Sequence, residues 1–386
     1  MSKLRMGMIG GGPAAFIGAV HRIAARMDGE IEIVCGAFSS KPEKSKETGE
    51  ALFLNPDRVY GSYTEMIERE AALPEGERMD FVGIVTPNHL HFEPARLALE
   101  AGFHVVMDKP MTFDLREALE LKRIVERTGS LLCLTHTYTG YPMIKEARQQ
   151  VRQDCLGKIR KVVVVYPQGW LSAFLEGADN KQASWRTDPS KSGIAGAMGD
   201  IGTHAFNLAE YITGLQVTRL CADINIVVEG RQLDDDGAML LKFDNGASGV
   251  LLASQIMAGE ENDLTIKVYG EKGGLEWKHS DPNTLLLKWP DEPAQVLRAG
   301  TGYLGTFAKH NTRTPSGHPE GFLEAFANHY RNFALCLRAR REGLQPEPEW
   351  MDYPGVDEGV RGMAFIETVI ASGRSSEKWT ELVIRD

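Results

Sequence analysis

Along the first third of the chain, short apolar runs alternate with longer segments whose apolar residues recur at helical spacing. The runs 5–9, 32–38, 81–86, 104–107 and 131–135 predict strands, and 14–27, 64–72, 91–101 and 114–128 predict helices. Short apolar runs separated by such helices imply a parallel sheet covered on both faces. Gly102 and Gly129 stand where two of these helices should end, because glycine takes the left-handed backbone of a C′ position without a Cβ clash. Residues 1–137 therefore read as a doubly wound α/β domain.

The texture then changes. The runs 158–168, 216–228, 239–243, 247–254, 263–269, 273–277 and 284–289 predict successive strands joined by turn signals. Asn245-Gly246 predicts a type I′ hairpin, whose two central residues need positive φ. A helix at 201–213, stopped by Gly214, interrupts the series, and helices at 320–341 and 356–372 follow it. This pattern implies a second α/β domain over 138–386, with a large open, mainly antiparallel sheet and helices on one face. The C-terminal helix is free to pack back on the first domain.

Composition adds bounds. A chain of 386 residues exceeds one ordinary core, which agrees with two domains. The formal charge is −10 and no block of Lys or Arg forms an arm, which argues against nucleic acid as a partner. Lys3 and Arg5 ahead of 6–20 imitate an export signal, but glycines and Pro13 interrupt that stretch. No later run is apolar for long enough to span a bilayer, so a cytoplasmic location without membrane contact is expected. Cys35, Cys133, Cys155, Cys221 and Cys336 are odd in number and far apart, with no C-x-x-C pair. They read as free thiols, with neither a disulfide framework nor a metal site.

Candidate chemistry begins at Gly10-Gly11-Gly12-Pro13-Ala14-Ala15, directly after the first strand. This turn fits G-x-G-x-x-A, the fingerprint of a Rossmann dinucleotide site. Gly10 allows the tight turn, Gly12 allows backbone to approach a pyrophosphate, and Ala15 is small enough for close helix–strand packing. The phosphates would meet free N–H groups at the positive end of a helix. Thr86-Pro87-Asn88-His89-Leu90-His91 lies at the carboxyl end of the third strand, where ligands of open parallel sheets bind. Asn88 either caps the following helix or contacts the nicotinamide half of a cofactor, and His91 belongs to the same candidate cofactor segment.

Asp108-Lys109-Pro110 ends the next strand. There a lysine is placed to hydrogen-bond a substrate hydroxyl rather than to sit solvated on a helix face. Asp200 and His204 share a helix face by their i, i+4 spacing. Asp200 is either a plain N-cap or the partner that orients His204, whose imidazole titrates near neutrality and suits proton transfer.

The glycine fingerprint, Asp108-Lys109-Pro110 and Asp200-x-x-x-His204 together resemble the glucose–fructose oxidoreductase, inositol dehydrogenase and MocA (Gfo/Idh/MocA) family. The resemblance covers nearly the whole chain. It implies a Rossmann domain followed by an open-sheet α/β domain, and an NAD(P)-dependent redox step on a sugar, cyclitol or related polyol. It also implies that Lys109, Asp200 and His204 form the active site and that the chain assembles as a homodimer or homotetramer. Asp108 replaces the glutamate of the family's Glu-Lys-Pro, which keeps the charge but shortens its reach toward the cofactor ribose. Trp185-Arg186 resembles the sugar-oxidising branch, with Trp185 stacking on a pyranose face and Arg186 donating to hydroxyls, or else a core Trp beside a surface Arg. His136, Tyr138 and His318 are further candidate substrate contacts, His318 alternatively positioning the helix after it.

The acid expected after the second strand is absent, replaced by Ser39-Ser40-Lys41. An acid there binds the 2′-hydroxyl of NAD and repels a 2′-phosphate, so NADP is permitted and NAD not excluded. The expected reaction is hydride transfer from a secondary alcohol, with His204 removing the hydroxyl proton and Lys109 hydrogen-bonding the same oxygen, or with these two roles exchanged. Two other readings stand beside it. One is a transient oxidation that enables elimination, epimerisation or glycoside cleavage before the hydride returns. The other is a non-catalytic NAD(P)-binding sensor.

Overall fold

The computed structural model describes residues 2–12, 15–176 and 181–384. The chain divides into two compact units, Met1–Thr137 with Phe322–Val360, and Tyr138–Gly321 with Arg361–Asp386. The second domain expected over 138–386 is interrupted: the stretch Phe322–Val360 joins the first unit, while the C-terminal helix from Arg361 onward stays in the second.

Among the described residues, the first unit holds a five-stranded parallel sheet. Its strands are β1 (Leu4–Gly10), β2 (Ile31–Ala37), β3 (Phe81–Val85), β4 (His104–Met107) and β5 (Leu132–Leu134), in the order β2-β1-β3-β4-β5. The order reverses between β1 and β3, which makes that point the ligand crevice of a doubly wound sheet. Helices Phe16–Met27, Tyr63–Ala71, Phe92–Glu100 and Leu115–Thr128 follow the predicted spacing. The last is capped by Asp114, which accepts from Glu117 N at 2.8 Å, while Glu117 reaches back to Phe113 N at 3.0 Å.

Helix Phe322–Arg341 packs beside Phe16–Met27. Its Phe326, Tyr330, Phe333 and Leu337 share one core with Leu4, Met6, Met8 and Phe81. His21 Nδ1 meets the Tyr330 hydroxyl at 2.7 Å inside that core. A second tie is Glu70, whose carboxylate accepts from Arg58, from the Tyr60 hydroxyl at 2.8 Å and from Met79 N at 2.9 Å.

The second unit is built on a nine-stranded sheet, again among the described residues. Its strands are β6 (Lys161–Pro167), β7 (Val217–Asn225), β8 (Asp236–Phe243), β9 (Ser248–Ser254), β10 (Thr265–Tyr269), β11 (Gly274–Lys278), β12 (Thr284–Lys288), β13 (Gln295–Arg298) and β14 (Thr380–Glu381). Their order is β13-β12-β11-β10-β6-β9-β8-β7-β14. Among the described pairs β6 and β9 run parallel and the others antiparallel. Buried and less buried positions alternate along β6, β8 and β9, so one sheet face meets the helices Pro142–Arg152 and Thr203–Thr213.

The β8–β9 turn departs from the type I′ expectation. Gly246 has φ 87°, and Asn245 is not among the positive-φ residues. Gly246 N donates to Phe243 O at 2.9 Å, giving a type I turn closed by a glycine bulge. The cause is the Asn245 side chain, which accepts from Ala247 N at 2.8 Å and donates to Ile159 O at 3.0 Å. The five cysteines are all free, and Cys155 and Cys221 are only half-buried. No helix among the described residues is long and apolar enough to cross a membrane.

Candidate active site

In the first unit the glycine turn forms at the carboxyl ends of β1 and β3. Gly10 and Gly11 take φ of 83° and 72°, which only glycine adopts without strain. A Cβ on Gly10 would lie 2.7 Å from Val85 O, and one on Gly12 would lie 2.9 Å from Phe38 O. The turn's cradle thus exists because these side chains are missing, and the following helix Phe16–Met27 has no acidic residue in its first turn. Free N–H groups at a helix start without a counter-charge suit a pyrophosphate. Pro13 and Ala14 lie outside the described residues.

Ala15 plays another part than expected. It is the N-cap, with its N–H on Gly12 O at 2.9 Å, and is only half-buried. The close packing belongs to Gly18, where a Cβ would lie 2.4 Å from Gly11 Cα. Arg22, one turn on, donates to Gly11 O at 2.6 Å and fixes the turn from below. Gly18→Ala is therefore expected to weaken NADH binding about tenfold or more, since overpacking strain of ~1–3 kcal/mol falls on backbone that cannot rotate aside. Fluorescence titration with NADH checks it, and unchanged affinity would show that the turn does not carry the cofactor.

Ser39 is half-buried after β2, with its hydroxyl accepting from Lys41 N at 3.2 Å, while Ser40 and Lys41 are exposed. Asn88 opens a 3₁₀ turn, Asn88–Leu90, and does not cap the helix: the N-cap of Phe92–Glu100 is His91, without a side-chain cap bond. Pro87 leads into that turn, and Thr86 donates from its hydroxyl to Leu90 O at 2.9 Å. The His91 ring is 1% exposed and lies 2.7 Å from Pro110 O and 2.8 Å from Thr86 O. Both nitrogens are thus turned to the backbone, so the ring's own place is to tie the Lys109-Pro110 segment to the end of β3. Lys109-Pro110 is a cis peptide.

Asp108 folds back, accepting from Lys109 N at 2.8 Å and from the Thr135 hydroxyl at 3.3 Å. His136 is buried, its carbonyl accepting from His329 Nε2 at 3.0 Å. Burial, with the charges of Lys109 and His329, holds the His136 imidazole down at about 3, so it is neutral at pH 7. The structure therefore brings Lys109, Asp108 and His136 to the carboxyl ends of β4 and β5.

In the second unit the helix expected at 201–213 starts earlier, with a π turn over Met198–Gly202 that runs into Thr203–Thr213. Asp200 lies inside this run and is not its N-cap; its N–H bonds Gly196 O at 2.9 Å. Turns of this type cluster at functional sites. Asp200 Oδ2 accepts from Gln255 Nε2 at 2.9 Å and lies 3.5 Å from Arg186 Nε. Arg186 in turn sits over the Trp185 ring, 4.4 Å from its centroid. His204 is buried on the same helix, with the Tyr138 ring edge-to-face at 5.0 Å. The Tyr138 hydroxyl pairs with that of Tyr166 and accepts from Asn262 Nδ2 at 3.0 Å. Burial pushes the Tyr138 phenol up, against the hydrogen bonds from Tyr166 and Asn262.

The parallel pairing of β6 and β9 explains why these groups meet. Parallel strands place both carboxyl ends side by side, so Gln168 and Gln255, each just past its strand, touch at 3.2 Å. Gln168 also meets Asn262 at 2.5 Å and accepts from Trp170 Nε1 at 3.0 Å. A carboxylate, a guanidinium, three amides and an imidazole thus gather at one pair of strand ends. Donors and acceptors in such mixture match the hydroxyls of a polar ligand.

Two family profiles match successive parts of the chain. One, described as an oxidoreductase family with an NAD-binding Rossmann fold, matches residues 4–136, and the other, the GFO/IDH/MocA C-terminal domain, matches 144–276. The uncharacterized oxidoreductase YfiI of Bacillus subtilis is 32% identical, over 98% of this chain and 96% of its own. The chain belongs to the Gfo/Idh/MocA family of oxidoreductases. An inositol dehydrogenase homolog from Azotobacter vinelandii, solved with NAD+, has a TM-score of 0.93 at 34% identity, over 98% of this chain and 97% of that one. An inositol dehydrogenase homolog from Azotobacter vinelandii, solved with NADH and myo-inositol, has a TM-score of 0.90 at 33% identity, over 98% of both chains. Levoglucosan dehydrogenase of Pseudarthrobacter phenanthrenivorans is 25% identical over 99% of both chains.

As a Gfo/Idh/MocA oxidoreductase, the chain has an NAD-binding Rossmann domain, and the glycine turn above is where that family fold and this geometry agree. His318 does not join the Asp200 group among the contacts of its own unit. It is exposed on a turn, with its ring 3.3 Å from Pro315 O. The residue that organises the turn is Glu320, which accepts from the N–H groups of Arg313 and Thr314 and is bracketed by Asn283. Gly18, Arg22, Gln168, Gln255 and Asn262 were not singled out from sequence. Gly18 alone had a local signal, a small residue three places past Ala15 on the same helix face.

Proposed function

We propose that this oxidoreductase transfers hydride between a secondary alcohol of a sugar, cyclitol or related polyol and NAD(P). One observation carries the reading: Asp200, bonded by Gln255 and beside Arg186, lies one helical turn before His204 at the carboxyl ends of β6 and β9. The myo-inositol bound to the A. vinelandii homolog and the sugar-derived substrate named for levoglucosan dehydrogenase support the substrate class. When bound, the nicotinamide supplies the hydride acceptor. His204 Nδ1 is wholly buried, which leaves Nε2 to take the hydroxyl proton. Asp200 orients that hydroxyl, and Lys109 is the further acid–base candidate of the reaction.

A panel of sugars and cyclitols with NAD and NADP, read by absorbance and by product mass, tests this. The expected product is a ketone lighter by one hydrogen molecule, formed with one equivalent of reduced cofactor. No turnover of any member, with cofactor binding intact, would overturn it. Altered product with no net absorbance change would replace it by transient oxidation.

For the cofactor, the absence of an acid at Ser39-Ser40-Lys41 supports acceptance of a 2′-phosphate. NADPH is expected to titrate within about tenfold of NADH, a difference of ~1.4 kcal/mol, and Lys41→Glu should weaken NADPH selectively. Ile226, Val227 and Leu240 stay exposed in the second unit, which supports assembly as a homodimer or homotetramer, read by light scattering.

A further inference from the structure

The segment that carries Asp200 and His204 begins with backbone that ends in no ordinary cap. Ala197, the residue before the π turn, has helical angles and no capping side chain of its own. The first N–H groups of the run are instead taken by Asp234, just ahead of β8. Its Oδ1 accepts from Gly196 N at 2.6 Å and its Oδ2 from Met198 N at 2.7 Å. Between those two bonds, Ala197 N donates to the Asp234 carbonyl at 2.8 Å. Three successive amides are thus held by one residue. Gly196 makes the approach possible, since a Cβ there would lie 2.2 Å from Asp234 O.

We propose that Asp234 is a positioning residue for the reaction, clamping residues 196–198 so that Asp200 and His204 keep their register. The inference rests on the function proposed above and assigns Asp234 no contact with substrate. A carboxylate bridging two N–H groups at the positive end of a helical run is a charge-assisted contact, here in a buried place. It is also a stiff one, because both oxygens and the carbonyl are used at once. Register matters because displacing reacting groups by about 1 Å costs on the order of 10²-fold in rate.

The titratable surroundings are defined. Asp235, next in the chain, accepts from Val227 N and Val228 N, and its carboxylate pairs with Arg231, which also pairs with Glu176. On the helical run itself the titratable groups are Asp200, His204, Glu210 and Tyr211. Burial, with the charge of Asp235 adding to it against the amide bonds, pushes Asp234 up to about 6. Above that pH both oxygens accept; below it one carries a proton and the clamp loosens.

Asp234→Asn keeps the shape and turns an NH₂ toward one of the two amides. The expected result is a kcat lower by about 10–100-fold, with NADH titration unchanged and a larger primary deuterium isotope effect on the transferred hydrogen. Gly196→Ala, which pushes the same segment from the other side, should give the same split. A folded Asp234→Asn chain with kcat within about twofold of the parent overturns the proposal. Should that variant not fold, the unmodified chain decides by amide exchange. At pH 8, protection of the Gly196 and Met198 amides, corrected for intrinsic rates, must stand well above that of exposed backbone, and exchange at the exposed rate overturns the clamp. If no polyol is turned over, the catalytic reading fails separately, because the exchange measurement needs no activity.

Discussion

Replacing His204 by alanine is expected to lower turnover by about 10²–10⁴-fold, the range that a positioned acid–base group contributes. Lys109→Ala is expected to fall in the same range. In both variants NADH should still titrate the chain with its parental affinity, because the glycine turn, Arg22 and Gly18 hold their geometry without either side chain. The pattern separates chemistry from folding: a kcat loss with intact cofactor binding assigns the residue to the proton side of the step. Near-parental turnover in both variants would remove the assignment. The surrounding groups sharpen the expectation for His204, since Asp200 remains held by Gln255 when the ring is lost.

The largest expected loss of stability lies elsewhere, at Glu70. Its carboxylate is fully buried, while Arg58 keeps a side-chain exposure of 20%. Burial would raise this carboxyl, but the hydrogen bonds from Arg58, Tyr60 and Met79 outweigh it, and the net shift is downward. Glu70→Ala leaves the Tyr60 hydroxyl, a guanidinium and an amide without their acceptor. Breaking such a pair costs about 3–5 kcal/mol, and the part-exposed arginine places this case near 3. Urea unfolding of the parent and the variant measures it.

The sign with pH follows from the depressed value. The contribution of Glu70 is complete above its unfolded pKa of roughly 4.3 and is lost as pH falls through the lower folded value. Glu70→Gln should therefore flatten part of the acid limb of stability. An identical pH profile in the variant would show that Glu70 ionisation contributes nothing.

What the sequence disclosed was local. The strands of the first unit and the glycine turn are legible because short apolar runs and glycines act within a few residues of one another. Ala15 was given the packing role of Gly18 because a helix starting at 14 sets the wrong face, whereas it starts at Phe16. Helix Pro42–Ala51 went unread because its buried residues are Ser45, Thr48 and Gly49, which leave no apolar stripe. Helix Pro142–Arg152 buries Lys145 and Glu146 beside Met143 and Ile144, so charge conceals its inner face.

In the site, Lys109, Asp200 and His204 were named by their motifs, while their supports were not. Gln255 reaches Asp200 across 55 residues, and Asp234 reaches Gly196 across 38. Asp234 also binds main-chain amides, which every residue has, so no side-chain type on the other side marks the contact.

The return of Phe322–Arg341 to the first unit has a consequence for synthesis. Tyr330 and Phe333 belong to a core whose buried members outside this helix all lie at or before Cys133. An emerging polypeptide that stops at Thr137 has made its parallel sheet but leaves one flank of it bare to water. At about 5–20 residues per second, that flank waits roughly 10–40 s for its cover. During this interval the nascent chain is a natural client for holding chaperones, and a fragment ending at 137 should aggregate where the whole protein does not.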